Sequence, residues 1–286
     1  MTADHGDETA GNPRREVGGR DLPLAIASGV VLASAFLASL FWHAAALGAV
    51  AGSLVVVGLI EAARVLRERH AIEVATPVLL VTALIAFVGA YQVGEAGILV
   101  GVVVLFLGAV AWELANADRT GVVRNVSLTA MLGLWVPINA AFAVLLVGGG
   151  AGPHTPEALL AVGGGVIFTD IGGFAFGVPF GRHKLAPTVS PAKSWEGLIG
   201  GLALTAALAV AVLPQISDYD AVTSVFVAVL AGLAGFVGDL VESMFKRDLG
   251  VKDLGDILPG HGGVLDRVDG LLLSLPVGYY ALQILS

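Results

Sequence analysis

Cysteine is absent from the 286 residues, which excludes both a disulfide framework and a thiolate metal site. Charge is scarce as well: 13% of residues are Asp, Glu, Lys or Arg, against about 25% in an ordinary globular chain. With 56% hydrophobic residues, the composition fits neither a water-soluble domain nor a disordered chain. The net charge of −8 speaks against nucleic acid as a partner. Period-two alternation is missing from the apolar runs, so they read as helices and not as barrel strands. The expected fold class is therefore an all-α, polytopic integral membrane protein.

A spanning helix needs roughly 20 mostly apolar residues. Nine runs qualify, at 22–40, 44–60, 76–93, 97–112, 126–147, 158–180, 198–213, 222–241 and 270–284. Residues 1–21 form a polar tail holding five acidic residues and three Arg. The first run starts late and is followed by many others like it, which argues against a secretory signal peptide. Only Phe41, Trp42 and His43 mark the turn between the first pair. Trp42, Trp112 and Trp135 are expected as interface anchors. Much of the glycine, 39 residues in all, falls inside the runs, where small residues let helices approach closely in lipid.

Basic residues are missing from one side of the predicted topology. With nine spans and the amino terminus inside, all 15 Lys and Arg fall in the tail or in cytoplasmic connections. The outer connections hold Glu95, Glu157, Asp218 and Asp220 but no cation. The excess of Lys and Arg predicts a cytoplasmic amino terminus and a carboxyl terminus outside. Three parts are expected: the tail 1–21, transmembrane helices over 22–157, and a catalytic transmembrane region over 158–286 with two cytoplasmic active-site loops.

Those loops carry both signs of charge together with Gly and Pro. One, 181–197, reads GRHKLAPTVSPAKSWEG; the other, 242–269, reads ESMFKRDLGVKDLGDILPGHGGVLDRVD. Asp239, Glu242, Ser243 and Lys246 are spaced i, i+3, i+4, i+7 and share one helix face. Asp266, Arg267 and Asp269 open the next span, so carboxylates stand at the mouths of two successive helices. Mg²⁺ takes oxygen ligands, typically one or two carboxylates plus substrate phosphates, and Asp239 with Asp266, near Lys246, Arg247 and Lys252, matches that description. Gly262 and Gly263 can bring backbone N–H groups close to a ligand. The bland alternative is a set of solvated charges anchoring helix ends. Asp170, near the middle of an apolar run, is a functional candidate by default, with a hydrogen-bonded packing carboxylate as its alternative. His261 is equally readable as a general base or as a turn histidine that only donates a hydrogen bond.

The string Ser243, Phe245, Lys246, Arg247, Lys252, Asp253, Gly255, Leu258, Pro259, His261, Gly262, Gly263, Val264, Asp266, Arg267, Val268, Asp269 resembles the motif of the phosphatidate cytidylyltransferase (CDP-diacylglycerol synthase) family. Lys184, Leu185, Ala186, Pro187, Ser190, Pro191, Lys193, Ser194, Glu196 and Gly197 look like the family's second segment, and Asp170 with Gly177 and Gly181 fits the helix leading into it. Gly173, Phe174 and Ala192 depart from the usual pattern, which bears on packing and a secondary charge more than on reaction type. The resemblance covers roughly 168–286.

It implies Mg²⁺-dependent transfer of CMP from CTP to phosphatidate in phospholipid biosynthesis, on the cytoplasmic face of the plasma (inner) membrane. A second, monovalent cation and a homodimer are left open. By resemblance Asp239 and Asp266 are the metal ligands. Lys193, Lys246, Arg247, Lys252, His261, Arg267 and Asp269 are the catalytic candidates. Asp170, Ser190, Ser194, Glu196, Ser243, Asp253, Gly262 and Gly263 are expected to bind or orient substrate. Two other readings need the same charges: a CTP-dependent polyprenol-type lipid kinase, which would leave CDP, and a cation- or proton-coupled transporter built around Asp170. Transporters normally carry their charges at mid-membrane in repeat-related spans. Here the charges gather in two loops on one face, which favours catalysis at the interface.

Overall fold

A computed structural model of the chain describes residues 16, 17, 20–117, 120–151, 155–255, 257 and 262–285. Glu16–Val17 (β1) and Arg20–Asp21 (β2) pair antiparallel just before the first helix. The helices are α1 (Leu22–Trp42), α2 (Ala44–His70), α3 (Thr76–Val93), α4 (Glu95–Ala115), α5 (Val122–Gly133) and α6 (Asn139–Leu146), then α7 (Pro156–Phe180), α8 (Trp195–Ile216), α9 (Ala221–Asp248) and α10 (Leu265–Leu285). A π turn, Leu134–Ile138, joins α5 to α6 into one span, 122–146. It contains Pro137, whose missing N–H breaks the regular ladder. Counting that span once, eight helices among the described residues are long and apolar enough to cross a membrane, and α1 adds a further apolar helix. The protein is a multi-pass, all-α membrane protein.

Several helices outrun the predicted spans. At a rise of 1.5 Å per residue, α9 is about 42 Å long, beyond the roughly 30 Å of a hydrocarbon core. Polar side chains carry it past residue 241: Ser243 donates to Asp239 and Lys246 pairs with Glu242, both at i,i+4. The helix stops where Gly250 takes a φ of +59°, with Gly250 N–H donating to Arg247 O and Val251 N–H to Lys246 O. Likewise α2 continues from residue 60 to His70 on Ala, Arg, Glu and Leu, all good helix formers. The α1–α2 break is a single residue, His43, whose Nδ1 accepts from Ala45 N–H and caps α2.

Packing separates two groups of helices. In the second half α7 lies against α8, α9 and α10, and α9 against α8 and α10. Glycine permits a close crossing: a Cβ on Gly232 of α9 would run into Thr169 Oγ1 and Gly165 O of α7. In the first half α3 pairs with α4 and α2 with α3. The span 122–146 is the most enclosed of the eight, and residues 140–146 are buried throughout. It touches α2, α3 and α10 and so joins the halves. That location corrects one expectation. Trp42 and Trp112 are exposed, as interface anchors should be, but Trp135 is 6% exposed and stacks on Phe245 of α9 at 5.8 Å between ring centroids.

The connection between α7 and α8 is a β-hairpin, Lys184–Ala186 (β3) and Ser190–Ser194 (β4), paired antiparallel with Lys184 opposite Ser194. Strand β4 packs on α7, α8 and α9. The hairpin therefore lies across the ends of the helices that carry the polar stripe.

Candidate active site

Three helices and the hairpin converge on one polar cluster. Asp239 and Glu242 project from α9 and Asp269 from the first turns of α10; oxygens of the three carboxylates lie within 4.8 Å of one another. Spacing brings the α9 pair together, since i and i+3 share a helix face, and packing of α10 against α9 brings the third. Asp170 of α7 lies close enough to interact electrostatically with Asp239, Asp269 and Lys193. Thr169 beside it is buried and hydrogen-bonds Thr205 of α8 at 2.9 Å, which fixes the turn of α7 that presents Asp170.

Two lysines flank the carboxylates. Lys193 reaches in from β4: its Nζ is 2.6 Å from Asp239 Oδ2, donates to Phe236 O at 3.3 Å and lies 4.1 Å above the Phe236 ring. Lys246 Nζ bridges Glu242 Oε2 at 2.5 Å and Asp266 Oδ1 at 2.9 Å. Glu242 is fully buried, and its other oxygen, Oε1, has no hydrogen-bond partner. Such a group is costly unless a donor or a cation comes to it. An ion held there would meet carboxylate oxygens, the donors a hard divalent cation prefers. The donor set fits such a cation.

Asp266, expected to share a metal with Asp239, stands outside this trio. Its side chain is 2% exposed. Besides Lys246, its oxygens accept from Leu254 N–H at 3.2 and 3.0 Å and from Gly263 N–H at 2.9 Å. Its carboxylate is thus taken up in holding Leu254 and Gly263 of the 249–264 loop to the start of α10. The same tightness accounts for Gly263, where a Cβ would strike Asp266 and the Gly255 backbone. Gly262 takes a φ of +86°, in the left-handed region that favours glycine.

The remaining candidates surround the cluster. Ser243 Oγ donates to Asp239 Oδ1 at 3.3 Å. Ser194 caps α8, its Oγ accepting from Gly197 N–H at 3.2 Å. Glu196 accepts from His183, from the backbone N–H at 3.2 Å and at the ring Nδ1 at 2.6 Å, and so secures the start of the hairpin. Arg247 Nε donates to Val189 O at 3.3 Å, tying the hairpin turn to the end of α9. Ser190 opens β4 and is half-buried; Asp253 lies in the loop beside Gly262; Lys252 and Arg267 are exposed around it. His261 lies outside the described residues, together with 258–260 of the motif.

The cytidylyltransferase family model matches residues 24–285. The chain belongs to this family. Among curated relatives, this cytidylyltransferase is 34% identical over 286 residues to the phosphatidate cytidylyltransferase of Mycobacterium bovis, covering 93% of this chain and 90% of the relative. It is 32% identical over 282 residues to that of Mycobacterium leprae, covering 93% and 89%. A shorter stretch of 110 residues is 46% identical to the phosphatidate cytidylyltransferase of Pseudomonas aeruginosa, covering 38% of this chain and 41% of that one.

Two residues of the cluster and its neighbouring loop were not assigned from sequence. Glu242 stands in the polar stripe, and its i+3 spacing from Asp239 was the available signal. Glu61 of α2 is 3% exposed and hydrogen-bonds the 249–264 loop. No local pattern links it to a segment about 200 residues later.

Proposed function

We propose that the chain transfers the CMP group of CTP to phosphatidate, giving CDP-diacylglycerol and pyrophosphate, with Mg²⁺ as cofactor. The observation that carries this is the convergence of Asp239, Glu242 and Asp269, flanked by Lys193 and Lys246, at the hairpin-covered end of a membrane bundle. The names of the relatives supply the substrates. The one-sided Lys and Arg distribution supports an amino terminus and an active site on the cytoplasmic side of the inner membrane, where CTP is available. On this view residues 158–286 are the catalytic region and 22–157 the helices that support it.

A phosphatidate phosphate oxygen attacks the α-phosphorus of CTP; the bond from that phosphorus to the bridging β-phosphate oxygen breaks, and pyrophosphate leaves with the electron pair. Phosphatidate is already anionic, so the step needs no protein base, and the protein's task is positioning and charge neutralisation. Bound by Asp239, Glu242 and Asp269, Mg²⁺ would supply Lewis-acid neutralisation of phosphate oxygens. Lys193 and Lys246, which balance the carboxylates in the absence of nucleotide, turn part of their charge toward incoming phosphates. Ser243 holds the Asp239 carboxylate in orientation. Arg247 keeps the hairpin over the site, while exposed Lys252 and Arg267 meet the phosphates at its edge. The acyl chains stay in lipid while the head group enters between α7, α9 and α10.

Purified protein in detergent, given CTP, dispersed phosphatidate and Mg²⁺, is expected to release pyrophosphate and form a CMP-bearing lipid. Release of CDP with a phosphorylated lipid would establish the kinase instead, and neither product would return the transporter to consideration.

A further inference from the structure

The loop 249–264, which joins the two helices of the carboxylate cluster, is gripped from the other half of the chain. Glu61 sits on α2, 3% exposed, and its two oxygens go to the middle and the end of the loop. Oε1 accepts from Ile257 N–H and Oε2 from Val264 N–H, each at 2.8 Å. Gly255 passes so close beneath that a Cβ there would collide with the Glu61 carboxylate. One turn earlier on α2, a Cβ on Gly58 would strike the Leu265 side chain at the start of α10. At the far end of α2, His70 Nε2 hydrogen-bonds Leu249 O at 3.0 Å, where the loop leaves α9. Helix α2 thus meets the loop at its beginning, middle and end.

A buried carboxylate is expensive unless its oxygens are satisfied, and here backbone amides of a single loop satisfy both. Bonds from an ionised carboxylate to backbone N–H groups are roughly twice as strong as neutral ones. We infer that Glu61 is a positioning residue for the reaction, clamping the middle and the end of the 249–264 loop so that Asp266, Lys246 and the basic residues around it are held in register with the carboxylate cluster. The inference rests on the proposed reaction for its kinetic consequence, though not for its geometry. It also gives Gly255 a physical reason: the carboxylate occupies the space a side chain would need.

The test combines hydrogen exchange of peptides spanning 249–264 with turnover kinetics, for Glu61→Ala, Glu61→Gln, Gly255→Ala and the double variant Glu61→Ala with Gly255→Ala. Exchange in the loop should quicken in Glu61→Ala while the helices keep their protection. Its kcat should fall about 10- to 100-fold, the consequence of leaving two loop amides unpaired, with KM for phosphatidate changed by less than about threefold. Glu61→Gln keeps one acceptor oxygen and should recover part of both signals. Gly255→Ala should reproduce the Glu61→Ala phenotype, and the double variant should lose little beyond the worse single, because both disrupt the same contact. Unchanged loop exchange in Glu61→Ala and Glu61→Gln would overturn the clamp, and so would losses that simply multiply in the double variant. Quickened exchange throughout the helices of Glu61→Gln would also overturn it, since the residue would then hold the bundle and not the loop. A wild-type protein without turnover would remove the proposed reaction, yet the exchange measurements would still decide the clamp.

Discussion

Glu242, assigned no part from sequence, and Asp266, expected beside Asp239, stand in different surroundings. Glu242 is fully buried with one oxygen unpartnered, facing the space shared with Asp239 and Asp269, whereas Asp266 spends its oxygens on Lys246 and on loop amides. Charge removal separates these roles. Asp239→Asn and Asp269→Asn keep nearly the original shape but take one unit of charge from the trio, so kcat should fall on the order of 10² to 10⁴. Added Mg²⁺ should recover part of that loss. Asp248→Asn, exposed at the end of α9, should turn over like the wild type. Steady-state pyrophosphate release across an Mg²⁺ titration checks all three. Equal behaviour of the three variants would return the cluster to being solvated helix-end charge.

Among elements, the α7–α9 crossing matters most, because it sets Asp170 against Asp239. Glycine makes that crossing close: a Cβ on Gly232 has no room against Thr169 and Gly165, while one on Gly163 meets nothing within 4 Å. Gly232→Ala should therefore push the helices apart, costing about 1–3 kcal/mol, and should reduce turnover through the displaced Asp170. Gly163→Ala should keep full stability and activity, since it adds helix propensity without a clash. Thermal unfolding midpoints in one detergent, read beside activity, distinguish the two. Equal midpoints for both variants would mean that α7 and α9 do not depend on this contact. The number and order of the helices were readable from apolar run length, because each run is a local property. Their extension past the predicted ends was not, since α9 runs to residue 248 on side-chain pairs that are polar by composition.

For the whole molecule, the one-sidedness of Lys and Arg makes a topological prediction that the absence of cysteine makes easy to test. Asp218 lies in the α8–α9 connection and Thr188 in the hairpin turn, both exposed. Asp218→Cys should react with an impermeant thiol reagent added to intact cells, and Thr188→Cys only after the membrane is opened. The reverse labelling would put the cluster on the side away from CTP. The two halves of the chain are also less separate than their composition suggests. Trp135 stacks on Phe245, and Glu61 with His70 reaches the 249–264 loop, so helices without motif residues hold the loop that carries them.

Composition alone determined that this chain is a helical membrane protein, because apolar runs without charge have one stable arrangement in lipid. A dense motif of polar residues sufficed for the family, since its spacing is recorded directly in the chain. Which carboxylates share one space was decided only by tertiary structure. Asp239 and Glu242 are neighbours by helix period, but Asp269 joins them through the packing of α10 on α9, and Asp266, three residues earlier, is drawn off by Lys246 and the loop amides. Glu61 shows the same limit over a longer reach. Its partners lie about 200 residues away, and a contact between two distant segments leaves no period or spacing in either one.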